Sequence, residues 1–79
     1  MIDADELEEE QRKIKYLRIM VDLTAAILRQ GNLSIPEAIR LLKATKKSVL
    51  QLFPDKEETY NLIYQPRFER IIKEQLQDN

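Results

Sequence analysis

The chain has 79 residues and no Cys, so it makes one small domain without disulfide or thiolate-metal staples. It has no His and a single Gly, which removes the commonest general base, the commonest nitrogen ligand for metals and the usual Gly-rich phosphate loops. The formal net charge of −1 conceals an asymmetry, since residues 1–11 hold six of the 14 acids and none of the 13 Lys and Arg.

Residues 12–79 therefore carry a net +5, and between Arg12 and Lys47 nine bases face only Asp22 and Glu37. A basic body with an acidic leader suits a polyanion partner, with the leader competing for the same surface. No stretch approaches the ~20 apolar residues that span a bilayer. The N-terminal MIDADELEEE lacks the apolar run of a secretory signal. The expectation is a soluble cytoplasmic protein with no membrane partner. Ser34 and Ser48 have no base to activate them and read as helix-cap and helix-surface residues. No catalytic residue, cofactor, metal ligand or small-molecule substrate is expected.

Residues 1–11 form an acidic leader that either extends the first helix, through Glu8–Arg12 and Glu9–Lys13 pairs, or frays. Residues 12–79 read as a single helical domain. The first helix runs from near Glu8 to Gln30, with Ile14, Leu17, Val21, Thr24 and Leu28 at three- and four-residue steps. Met20, Leu23 and Ile27 widen that stripe, and Gly31-Asn32 ends the helix.

Ser34-Ile35-Pro36-Glu37 opens a second helix: Ser34 caps it, Glu37 sits at the capping-box position, and Pro36 falls harmlessly in the first turn. Its apolar positions are Ala38, Ile39, Leu41 and Leu42. Thr45 caps a third helix carrying Val49, Leu50 and Phe53, which Pro54 stops. Asp55 and Glu58 frame a second capping box, predicting a fourth helix over 56–64 with Tyr60, Leu62 and Ile63 inward. Gln65-Pro66 breaks the chain again, and Phe68, Ile71, Ile72 and Leu76 stripe a fifth helix. The fold class is all-α, a small bundle of four to five helices.

The run Leu33-Ser34-Ile35, Glu37-Ala38, Leu41-Leu42, then Ala44-Thr45-Lys46-Lys47-Ser48-Val49 resembles the helix-turn-helix of bacterial transcription regulators. Phe53-Pro54-x-Lys56-Glu57 is similar to the segment after the reading helix in regulators of the tetracycline-repressor type. Where the family favours a small residue this chain has Ile39, and where it favours Gly it has Lys43. The resemblance implies a helix-turn-helix-like pair over residues 31–57, with a basic helix at 45–53 presented to duplex DNA. Lys43, Thr45, Lys46, Lys47, Ser48 and Gln51 then form the nucleic-acid-binding set. The Lys residues act through counterion release, Thr45 holds a phosphate at the helix start, and Gln51 reads a base edge.

A second reading is a protein-interaction or adaptor module. Tyr60, Tyr64, Arg67 and Phe68 bring three aromatics and an Arg into nine residues, the side-chain types enriched at interface hot spots. The same residues equally suit the closing of a small core. Self-association through the long first helix belongs to this class, although no strict heptad persists there.

Overall fold

The structure is a computed structural model that describes residues 4–77. Among them are three helices and no strand: α1 (Ala4–Gln30), α2 (Ile35–Leu52) and α3 (Glu57–Gln77). α2 runs back along α1, placing Thr45 against Thr24, and α3 returns parallel to α1, with Gln75 reaching Arg29. The radius of gyration is 14.6 Å, against about 11.6 Å for a globular chain of this length. A rod of 53 × 21 × 16 Å has much surface for its volume, and its core is correspondingly thin.

Local signals at the first connection act as the sequence predicts. Gly31 has φ +70° and donates its N–H to the Leu28 carbonyl, closing α1 in a conformation costly for other residues. A Cβ there would also meet Gln75 Oε1 at 2.5 Å. Ser34 and Glu37 complete the capping box: Ser34 N–H donates to Glu37 Oε1 at 3.0 Å, and Glu37 N–H to Ser34 Oγ at 3.3 Å. The Ser34 backbone donor, followed by its hydroxyl, lowers the Glu37 carboxyl below the ordinary value. Gln75 Nε2 donates to the Arg29 carbonyl at 3.2 Å, so α3 helps to close the end of α1.

Two expected boundaries between helices are absent, which reduces the four to five helices expected to three among the described residues. α1 begins at Ala4, so residues 4–11 of the leader are helical; its first three residues lie outside the described ones. Between Leu42 and Lys46 the chain stays helical instead of turning. No Gly or Pro interrupts it there, Lys and Ala are good helix formers, and Thr45 has found another use for its hydroxyl. Thr45 Oγ1 donates back to the Leu41 carbonyl at 2.9 Å, a bond made within a running helix. It is therefore no cap.

Pro66 likewise sits inside α3. Its missing N–H leaves the Leu62 carbonyl without a ladder partner, an interior defect of about 3 kcal/mol. Both residues lie on the exposed side, where solvent reaches that carbonyl. Tyr60 before Pro66 and Phe68 and Ile71 after it share one buried stripe, which holds the helix together across the defect.

The core comprises Val21, Ala25 and Leu28 of α1, Ala38, Leu42 and Val49 of α2, and Tyr60, Phe68 and Ile71 of α3. Two expected core positions on α1, Ile14 and Leu23, are exposed instead. On α3, Leu62, Ile63 and Leu76 are also outside, because one stripe of a continuous helix serves the core and they fall off it. Thr24 and Thr45 form the buried polar contact, with Oγ atoms 2.9 Å apart. Since Thr45 spends its proton on Leu41, Thr24 is the donor.

Tyr60 is the costly member of the core. Its hydroxyl is buried without a hydrogen-bond partner among the described residues, and desolvation pushes the phenol up to about 12 from 10.0. Tyr60→Phe is expected to stabilise the fold by about 1 kcal/mol in urea titration, because it removes an unsatisfied group. The folded state holds the proton more tightly than the unfolded state. Native stability is therefore unaffected below pH 10 and falls as pH rises from 10 through about 12, a loss that Tyr60→Phe should reduce.

Candidate functional site

The continuity of α2 rearranges the residues expected to bind nucleic acid. Three of the six share the outward face: Lys43, Lys47 and Gln51 lie at helical spacing and are exposed. Arg40 continues their stripe by one turn and was missed by a reading that broke the helix at Lys43. No acid occurs in α2 after Glu37. Lys46 stands on the α3 side, its Nζ 3.3 Å from Glu57 Oε1, tying the end of α2 to the first turn of α3. A partly exposed pair of this kind contributes about 0–1 kcal/mol.

Ser48 is half-buried toward α1 and shares a cleft with Arg12 and Tyr16. Thr45 is in the core. As a mid-helix residue its N–H belongs to the ladder, so the free N–H groups that would hold a phosphate are absent at this point. The structure therefore keeps a basic stripe and removes the turn and the capped start expected to present it.

The aromatic set divides in the same way. Tyr60 is 1% exposed and Phe68 is fully buried, so both build the core and neither is available to a partner. Tyr64 is half-buried, its ring centroid 5.7 Å from that of Tyr60 at an interplanar angle of 42°. Arg67 is exposed beside a cleft bounded by Leu17, Arg18 and Asp22 of α1. Tyr64 and Arg67 remain reachable, but the aromatic segment is no contiguous surface.

Elsewhere the bundle is open. α2 and α3 each pack along α1 and meet one another less. Between them lies a groove of about 540 Å³, floored by Leu42 and Ile72. Ile35 and Ile39 form one wall, each about half exposed; Asn61, Gln65 and Glu69 form the other. Gln65 Nε2 donates to Glu69 Oε1 at 3.2 Å along that polar wall. Lys43 and Lys46 stand at its α2 rim. Sequence reasoning misses this site because it takes Ile39 simply as one of the apolar positions of the second helix.

No helix among the described residues is long and apolar enough to cross a membrane. Nor do three or more acidic residues among them converge where a metal ion could be held. Comparison with protein-family models, curated proteins and solved structures returns no match.

The placement of Thr45 has a measurable consequence. Thr45→Val should destabilise the fold by about 1–3 kcal/mol in urea titration, since it leaves the buried Thr24 hydroxyl without its acceptor. Replacing both by Val should recover most of the loss. A Thr45→Val protein of unchanged stability would contradict the core assignment.

Proposed function

We propose that this chain is a non-enzymatic binding module that takes an amphipathic helix of a partner protein in the α2–α3 groove. The observation that carries this reading is the groove itself, a trough with an apolar floor and with Ile35 and Ile39 left half exposed along its apolar wall. A helix laid there would present apolar residues at three- and four-residue spacing to Ile39, Leu42 and Ile72. An acid flanking that stripe would meet Lys43 at the rim, where the charge orients the ligand more than it tightens it. Covering what remains exposed of each Ile would contribute on the order of 1 kcal/mol.

Methyl-labelled protein titrated with a synthetic acidic amphipathic helix tests this reading by NMR. The Ile39 and Ile72 resonances should shift together and saturate, and Ile39→Glu should abolish the response without loss of helicity. Shifts confined to α1, or none with peptides of varied apolar spacing, would remove the groove as a binding site.

A second reading rests on the outer face of α2, where Arg40, Lys43, Lys47 and Gln51 align with no acid among them. Such a stripe supports contact with the phosphates of duplex DNA, and hence a role as a small nucleic-acid-binding regulator. Three phosphate contacts imply a slope of about −2.7 in log affinity against log salt. Arg40→Glu with Lys47→Glu leaves the groove untouched. In fluorescence anisotropy it should abolish duplex binding at low salt while circular dichroism is unchanged. Equal affinity for both proteins would end this reading.

A further inference from the structure

α1 has a second apolar stripe that the bundle touches only at its start, where Arg12 and Tyr16 edge a cleft with Ser48 of α2. Its core side is Leu17, Val21, Thr24 and Leu28; turned away from these are Tyr16, Ile19 and Leu23, which are 52%, 54% and 59% exposed. Arg12 precedes them and Ala26 and Gln30 follow, so six exposed positions repeat at alternating steps of four and three. That is the spacing of a two-helix seam, carried by one continuous helix of 27 residues. The sequence merged this stripe with the core stripe, since Met20 and Ile27 lie between them.

We propose that a second copy of this chain packs on this face, its α1 running antiparallel to the first. Charge selects both the occupant and the direction. The first turns of α1 carry Asp5, Glu6, Glu8, Glu9 and Glu10, and bases begin at Arg12. A parallel copy would set two acidic ends side by side and align the two helix dipoles, whereas an antiparallel copy separates the acids and opposes the dipoles.

Reversal about the midpoint of Tyr16 and Ile19 stacks Tyr16 of one copy on Ile19 of the other. Lys15 and Asp22 lie on the same flank of the seam. In this register Lys15 of each copy therefore faces Asp22 of the other, and the pair occurs twice by symmetry. Glu9 of one copy comes opposite Ala26 of the other, while the two Glu9 residues stand about 25 Å apart along the axis. This proposal is independent of the α2–α3 groove, which lies between other elements.

Sedimentation equilibrium on the full chain reads the association directly. The expected result is a dimer that Leu23→Glu weakens by about thirty-fold or more, with helicity retained. Lys15→Asp should weaken it as well, and Lys15→Asp with Asp22→Lys should restore it. Because the chain has no Cys, introduced thiols report direction cleanly. A mixture of Glu9→Cys and Ala26→Cys proteins should crosslink to each other far faster than Glu9→Cys to itself. The proposal is overturned by a chain that stays monomeric at high micromolar concentration, or by a dimer that Leu23→Glu leaves unchanged. Rapid Glu9→Cys self-crosslinking, the mark of a parallel pair, would also overturn it.

Discussion

The rest of this structure depends on α1 as a spine. α2 and α3 each pack along it and touch each other less, so the core is a strip along one side of a single long helix. Small side chains make up much of that strip, Ala25 and Ala38 among them, and Thr24 and Thr45 meet where α1 and α2 pack. The two large buried rings, Tyr60 and Phe68, come from α3. Burial of the rings supplies much of the apolar area a chain of this size can hide, and placing Tyr60 there leaves its hydroxyl without a partner.

The parts of the fold legible in the sequence are those fixed within a few residues. Gly31 ends α1, and Ser34 with Glu37 starts α2, because a left-handed position and a capping box are satisfied by the local backbone alone. The misread boundaries are residues whose local chemistry has two outcomes. A Thr hydroxyl can cap a new helix or bond back four residues, and the choice at Thr45 is settled by Thr24, which is 21 positions away. Pro66 either starts a helix or interrupts one, and the buried residues on both sides of it decide.

The candidate site was harder to read for the same reason. Whether Lys43, Lys46 and Lys47 share a face depends on the continuity of α2. Once the helix is unbroken, Lys46 turns toward Glu57 and Arg40 takes its place in the stripe. Apolar residues pose a complementary difficulty. Periodicity identifies a face that avoids water, but it does not say which partner covers it. Leu23 and Ile39 look like core by pattern and remain exposed, since three helices at this spacing leave both the far side of α1 and the α2–α3 trough uncovered.

That surplus of apolar surface links stability to binding. A thin core in an elongated chain leaves a small margin for the folded state, and each uncovered stripe is surface whose burial by a partner would add to it. The two stripes differ in what they can accept. The α1 face is convex, stands on one helix and is followed by charges of opposite sign on its own flank, which suits a copy of itself. The α2–α3 trough is concave, with one apolar and one polar wall, and its two sides are not interchangeable. Such a trough fits a ligand with distinct faces better than it fits itself. An isologous contact on α1 therefore leaves the trough free, and both surfaces of the same small rod can be occupied at once.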